Sequence, residues 1–258
     1  MSTSQPFISI VIPSYNEMKN IRHGVLDEVL SFLQEQSFSW EVVLSDDGSS
    51  DGTVEELEKC AKKDARIRVL ENPHRGKAPT VKAGMLKATG KWRLFTDFDQ
   101  STPLSELTTF LQIVKQQNPD IIIGSREGDG AQRDKEPFHR HLMGRVFNTL
   151  VQLLAVPGIE DTQCGFKLFS QDATKHLFNN LVIYGDEVER TDAFTGAFDV
   201  ELLFLARKYN YQVVEQPIVW RHAASDRVSP VKDSLRMFRD IVRIRLADLT
   251  GKYRSSHS

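Results

Sequence analysis

KWRLFTDFDQST, residues 91–102, holds the reading on which the fold turns. Lys91 to Phe95 is a short apolar-rich run of strand type, and Thr96-Asp97-Phe98-Asp99 follows with two carboxylates one residue apart. Side chains at i and i+2 on a strand share a face, so Asp97 and Asp99 converge if the strand continues or if the loop curls back. Two hard oxygen ligands at the carboxyl end of a strand suit Mg²⁺ or Mn²⁺ carrying a diphosphate. The same spacing also occurs in ordinary solvated turns, so the pair gains meaning only from its neighbours.

Outward from that strand, β-branched runs alternate with helical patterns, the rhythm of an α/β chain with a parallel sheet and crossover helices. Strands are predicted at Phe7–Pro13, Ser39–Ser45, Ile67–Leu70, Lys91–Phe95 and Asp120–Gly124. Helices are predicted at Met18–Gln36, Thr53–Asp64, Pro79–Ala88 and Leu104–Gln117. Glu127–Phe138 is rich in glycine and charge and reads as a loop. A helix from His139 to Ala155, a strand at Phe166–Phe169 and a helix at Gln171–Phe178 follow. After an irregular acidic stretch come a helix at Phe198–Tyr209, a strand at Gln212–Val219 and a long helix at Val231–Leu249.

With 258 residues, 40% of them hydrophobic, the chain can bury a full core. We expect one large domain over residues 1–225 and a C-terminal helix and tail over 226–258. The net charge of −2 conceals an asymmetry. Residues 205–258 carry eleven Lys/Arg against five Asp/Glu, which favours anionic surfaces for the tail and gives nucleic acid no support as a partner. Cys60 and Cys164 are the two cysteines, far apart in sequence, which suits a reducing compartment without a disulfide. No apolar run reaches the roughly 18 to 20 residues of a membrane span, and the first residues lack the pattern of a signal peptide. The expected location is cytoplasmic, with peripheral contact at the inner face of a membrane left open, as is homo-oligomerisation.

In an open parallel sheet, ligands gather beyond the carboxyl ends of the strands. Those ends here are Pro13-Ser14-Tyr15-Asn16-Glu17, Asp46-Asp47-Gly48-Ser49-Ser50-Asp51-Gly52-Thr53, Asp97-Phe98-Asp99 and Gly124-Ser125-Arg126. A turn and helix cap explain Asp51 or Thr53 but leave Asp46 and Asp47, whose carboxylates can accept the imide N–H of a uracil or a ribose hydroxyl. Lys77 follows Gly76 in a loop entering a helix, a place suited to phosphate, although a solvated lysine explains it too. Arg126 after a strand end is either a phosphate ligand or the partner of an acid.

PSYNE at 13–17, DDGSSDGT at 46–53, GKAPTVKAG at 76–84, DFDQST at 97–102 and GSR at 124–126 together resemble the family 2 inverting glycosyltransferases of GT-A fold. DTQCGFKLF at 161–169, FDVELL at 198–203 and RLADLTG at 245–251 narrow the resemblance to the dolichyl-phosphate β-glucosyltransferases and, less closely, the corresponding mannosyltransferases. It implies transfer of a hexose, with UDP-glucose as the favoured donor, onto a polyprenyl phosphate in a membrane. Pro13, Tyr15, Glu17, Asp46, Asp47 and Lys77 would then contact the donor, Asp97 and Asp99 would hold Mg²⁺ or Mn²⁺, and Arg126 and Arg140 would hold the acceptor phosphate. A phosphate monoester is already anionic, so this chemistry needs cations more than a general base.

Departures from the family pattern are visible. Ala78 and Pro79 stand where a glycine and a small residue are usual, and Ser101 stands where some members carry a third metal ligand. Transfer to a soluble or protein-bound hydroxyl, a nucleotidyltransferase and a catalytically silent nucleotide-sugar binder remain as alternatives. Asp161 reads as a loop brace, while Asp199 and Glu201 read as carboxylates favoured by a helix N-terminus. Lys232, Arg236, Arg239 and Arg243 draw a basic stripe along the last helix, beside apolar Val231, Leu235, Phe238, Val242 and Leu249. That helix either packs on the core or lies on anionic lipid.

Overall fold

The computed structural model describes residues 5–133, 151, 152, 154–185, 196–221 and 230–253. Strands β1 (Ile8–Ser14), β2 (Trp40–Asp46), β3 (Ile67–Glu71), β4 (Trp92–Thr96) and β5 (Ile121–Ser125) alternate with helices α1 (Met18–Arg22), α2 (Val25–Gln34), α3 (Thr53–Lys63), α4 (Lys77–Lys87) and α5 (Leu107–Gln117). A short pair, β6 (Gln132–Arg133) and later β9 (Val219–Trp220), lies outside the main sheet. The second half adds β7 (Phe166–Ser170), α6 (Gln171–Asn179), α7 (Phe198–Lys208), β8 (Val213–Pro217) and α8 (Pro230–Leu249).

The main sheet has seven strands in the order β3-β2-β1-β4-β7-β5-β8. Every pairing is parallel except those of β7, which runs antiparallel between β4 and β5. β1 shows why the sheet lies in the middle of the molecule. Ile8, Ile10 and Ile12 point to one face and Val11 to the other, and all four are buried. One layer packs α2, α3 and α5 against the first face, the other α4, α6, α7 and α8 against the second. Truncating a side chain such as Ile10 to alanine in this setting costs about 2–5 kcal/mol.

The structure departs from the sequence expectations at identifiable points. The predicted helix Met18–Gln36 is two helices, because Gly24 takes a left-handed φ of 80° and caps α1 through its N–H to Ile21 O. Glu127–Phe138 is not loop throughout, since Gln132 and Arg133 pair with Val219 and Trp220. The strand predicted through Val219 breaks at Ile218, whose N–H bonds Ser125 O while its carbonyl accepts from Gln132 N, moving the chain from one sheet to the other. Of the helix predicted at His139–Ala155, Val151, Gln152 and Leu154 are helical. Residues 134–150 and 186–195 lie outside the described set, and with them Arg140 and most of the acidic stretch.

Candidate active site

The carboxyl rim of the sheet gathers the sequence-predicted residues other than Arg140, which lies outside the described set. At the end of β1, Pro13 still belongs to the strand and is buried, opposite Ser45. Tyr15 stacks on His74 with ring centroids 4.2 Å apart and planes 6° from parallel. The buried Glu17 donates its backbone N–H to Thr53 Oγ1 at 2.8 Å, tying the PSYNE turn to the start of α3.

Asp46 and Asp47 are fully buried, and protein donors occupy both carboxylates. Asp46 accepts from Ser14 Oγ (2.8 Å), Ser49 N (2.7 Å) and Ser49 Oγ (2.6 Å), which closes the DDGSS turn. Asp47 accepts from Arg75 N (2.8 Å), Gly76 N (2.9 Å) and Thr80 Oγ1 (2.9 Å), with His74 Nδ1 also 2.9 Å away. A carboxylate with this many partners organises a loop. Here it fixes the turn at 74–76, where Gly76 has φ 93°, and so sets Lys77 as the first residue of α4. The helix therefore begins two residues earlier than predicted, and Lys77 stands on its first turn.

Asp97 and Asp99 follow the end of β4, separated by Phe98, which turns into the core. The Lys77 ammonium pairs with Asp97 Oδ1. Burial would lower that ammonium, but Asp97, then Asp199 and Asp99, outweigh it and hold it above its ordinary value. Asp99 accepts from Ser101 N at 2.9 Å, and burial followed by the charge of Asp97 pushes its carboxyl up. With the charge of Asp97 felt by Asp99 and an ammonium drawn to Asp97, this end of β4 attracts positive charge.

Arg126 is held at the end of β5 by the carboxylate of Asp161. Its Nε donates to Oδ2 at 2.7 Å and its Nη2 to Oδ1 at 2.8 Å, while its backbone N–H bonds the same group at 3.0 Å. Burial works against ionisation on both sides of this pair. The mutual charge prevails, raising the guanidinium and holding Asp161 at about 2. Among the described residues no hydrogen bond engages Nη1, which leaves it for another anion. Asp161 is itself anchored, since its N–H and that of Glu160 donate to Glu215 on β8 at 2.7 and 2.8 Å.

Three residues at this rim lie where the search after strand ends does not look. Because β7 is antiparallel, the loop that precedes it, Asp161–Gly165, reaches the carboxyl rim. Gly165 lies so close to the Asp97 carboxylate that a Cβ there would collide with it, and its carbonyl accepts from Asp97 N at 3.2 Å. Lys167, wholly buried on β7, donates to Cys164 O and to Asp199 Oδ1, the latter at 2.6 Å. Asp199 is correspondingly buried in the first turn of α7, with its carboxyl pushed up by burial against the pull of Lys167 and Lys77.

Asp199 and Glu201 do open the helix as expected, and the structure adds that both are buried with specific partners. Glu201 accepts from the backbone N–H groups of Val182, Ile183 and Tyr184 at 2.8–2.9 Å and from Tyr253 Oη at 2.7 Å. The signal was present in the sequence. Apolar residues surround both acids in FDVELLFLA, so α7 is buried on all sides, and carboxylates in such a helix require partners.

The fold is that of the GT-A glycosyltransferases. The family model "Glycosyl transferase family 2" matches residues 9–178. The dolichyl-phosphate beta-glucosyltransferase of Dictyostelium discoideum is 34% identical over 95% of this chain and 76% of its own length. The Drosophila melanogaster and Homo sapiens proteins of the same name are 36% and 33% identical, each over 96% of this chain and 77% of their own. Among solved structures, the mannosyltransferase PcManGT of Pyrobaculum calidifontis, in complex with GDP-Man and Mn²⁺, superposes with a TM-score of 0.58 at 19% identity. That match covers 93% of this chain and 65% of that one. Glucosyl-3-phosphoglycerate synthase of Mycobacterium tuberculosis, in complex with Mn²⁺, UDP and glucosyl-3-phosphoglycerate, gives 0.57 at 17% identity, covering 95% of this chain and 80% of that one. At these identities the structural likeness is one of fold. The chain belongs to glycosyl transferase family 2, an enzyme family, and its sequence is similar along nearly its whole length to the dolichyl-phosphate β-glucosyltransferases.

Proposed function

We propose that this chain transfers glucose from UDP-glucose to a dolichyl-type polyprenyl phosphate with inversion at the anomeric carbon. The observation that carries the reading is the meeting at one rim of the Asp97/Asp99 pair, Lys77 and the Asp161-braced Arg126. Similarity to dolichyl-phosphate β-glucosyltransferases along nearly the whole of this chain supports the choice of sugar and acceptor.

The donor set fits a divalent cation. Asp97 and Asp99 are hard oxygen ligands whose mutual repulsion a cation would relieve, although among the described residues no group of three or more His, Cys, Asp or Glu gathers in ligand geometry. Asp97 and Asp99 would hold Mg²⁺ or Mn²⁺, with water completing the shell. When bound, the ion supplies charge neutralisation to the departing diphosphate. The chain's own groups do the rest. Lys77, released from Asp97, moves to a diphosphate oxygen, and Tyr15 offers its ring beside the base. Asp46 and Asp47 act on the donor by fixing the turns that carry Ser49 and Lys77. Arg126 Nη1, with Arg140, orients the acceptor phosphate for in-line attack, and no proton has to be removed from that nucleophile.

An acceptor of this kind lies in a membrane, and no described helix is long and apolar enough to cross one. α8 supports a peripheral arrangement. It buries Ile241, Ile244 and Ala247 against the core while Leu235, Phe238, Val242, Leu246 and Leu249 stand 39% to 76% exposed. At 3.6 residues per turn these five fall within an arc of about 80°, opposite the buried face. Leu154 is the only other large apolar side chain as exposed among the described residues. Arg239 and Arg243 are exposed along the same helix and match an anionic lipid surface. We assign residues 1–225 to the catalytic domain and 226–258 to this membrane-surface element.

The test is incubation with dolichyl or undecaprenyl phosphate, Mg²⁺ or Mn²⁺ and a panel of labelled nucleotide sugars, followed by extraction into organic solvent. Label should enter the organic phase from UDP-glucose. Label that stays in aqueous products would transfer the assignment to a soluble acceptor.

A further inference from the structure

The loop Asp161-Thr162-Gln163-Cys164-Gly165 is pinned at both ends to the reacting rim. Asp161 grips Arg126, and Gly165 lies against the Asp97 carboxylate. Cys164 Sγ sits over Gly124, where an added Cβ would approach it to 3.1 Å, so the middle of the loop rests on the end of β5. Two polar atoms in that middle are buried and have no hydrogen-bond partner among the described residues: Thr162 Oγ1 and Gln163 Nε2. Thr162 is 1% exposed as a residue. Buried polar side chains in folded proteins are nearly always hydrogen-bonded, and an exception at a substrate site is a group that a ligand can satisfy. Other such atoms exist among the described residues, but Thr162 and Gln163 are adjacent and stand in the chain between Asp161, which grips Arg126, and Gly165, which meets the Asp97 carboxylate.

The chemistry of the two groups selects the ligand. A primary amide and a hydroxyl are neutral and can donate and accept, which matches sugar hydroxyls. Phosphate oxygens would call for cations, and Lys77 and Arg126 already provide them. We infer that Thr162 and Gln163 are specificity-determining residues that hydrogen-bond hydroxyls of the transferred hexose, making the loop before β7 the sugar-reading element of the site. The inference rests on the proposed transferase reading and adds which residues recognise the sugar.

Gln163→Leu and Thr162→Val remove the groups while keeping much of their volume. UDP-glucose and its 2-, 3-, 4- and 6-deoxy analogues serve as donors, with turnover read as kcat/KM. The wild-type enzyme should lose on the order of 10²-fold on at least one deoxy donor, because a site built to bond a hydroxyl rejects the analogue lacking it. Gln163→Leu should lose a similar factor on UDP-glucose and little more on that same deoxy donor. UDP affinity should stay within about twofold of wild type, and the ligand-free melting temperature should not fall, since an unpartnered buried polar atom has been removed. A uniform loss across all five donors, no loss on any, or a lower melting temperature with unchanged donor selectivity would each overturn the inference. Should either variant fail to fold, the other carries the same comparison. If the wild type transfers no sugar to polyprenyl phosphate, the transferase reading fails separately. Calorimetric binding of the same five donors then still reads the two residues.

Discussion

The two halves of this molecule reach the same rim by opposite routes. In the first, each contribution follows a parallel strand: the PSYNE turn after β1, the DDGSS turn after β2, Asp97 and Asp99 after β4, Arg126 after β5. In the second, the contribution precedes an antiparallel strand, as with Asp161–Gly165 before β7, or sits inside a wholly buried helix, as with Asp199. The difference is also electrostatic. Asp97 and Asp99 share the single ammonium of Lys77, which the proposed function releases to substrate, whereas Asp161 and Asp199 each have a cation of their own in Arg126 and Lys167. On the proposed function, the first half supplies the groups that meet ligands, and the second supplies the groups that hold them in place, apart from the loop inferred to read the sugar.

That division can be broken most sharply at the carboxylate pair. Asp97→Asn or Asp99→Asn should reduce transfer by on the order of 10³-fold or more, from lost neutralisation of the leaving diphosphate, with little change in denaturant midpoint. An unfolded variant, or one that retains most of its turnover, would place these residues among the supports. The opposite pattern is expected for Lys167→Met. Leaving Asp199 buried without its cation should destabilise the fold by about 3–5 kcal/mol in chemical denaturation. The double variant Lys167→Met/Asp199→Asn should recover part of that loss.

A pH titration of stability sharpens the same contrast. Asp161 takes up its proton at about 2 in the folded chain but near the ordinary aspartate value of about 3.9 when unfolded. Between those values the unfolded state binds more protons. The stabilisation from the Arg126 clamp is therefore complete above about pH 4 and is lost as pH falls toward 2, amounting to roughly 2 kcal/mol. Asp161→Asn should flatten that limb of the curve, and an unchanged acid limb would remove the clamp from the account. The smallest effect on the folded protein is expected on α8. Replacing Leu235, Phe238 and Val242 together by serine should change stability by less than about 1 kcal/mol, because these side chains are exposed. Flotation with vesicles containing anionic lipid should nevertheless fall severalfold, while transfer to a short, water-soluble polyprenyl phosphate stays unchanged. Flotation equal to wild type would contradict the membrane-facing role.

The first half was nearly legible in sequence because its physics is local. A buried parallel strand is a short apolar run, a crossover helix repeats every three to four residues, and the ligand end is the one that follows the strand. Run boundaries moved by only a residue or two at β1, β2 and β4. The second half was less legible because period two does not record strand direction. FKLF at 166–169 reads the same whether it runs up or down the sheet, and only its pairing with β4 and β5 brings Thr162 and Gln163 to the rim. Asp46 and Asp47 were found as a pair, but their saturation by Ser49, Arg75, Gly76 and Thr80 depends on turn geometry that residue types do not encode. Gly24 was visible as a glycine, yet its left-handed φ, which splits the first helix in two, required coordinates.

The most direct test of the central claim is Mn²⁺ binding in the presence of UDP, followed by electron paramagnetic resonance on the wild type and on Asp97→Asn/Asp99→Asn. The account predicts that UDP draws Mn²⁺ into a bound state in the wild type and that the double variant leaves the free-ion spectrum unchanged. Equal Mn²⁺ binding by both proteins would contradict it.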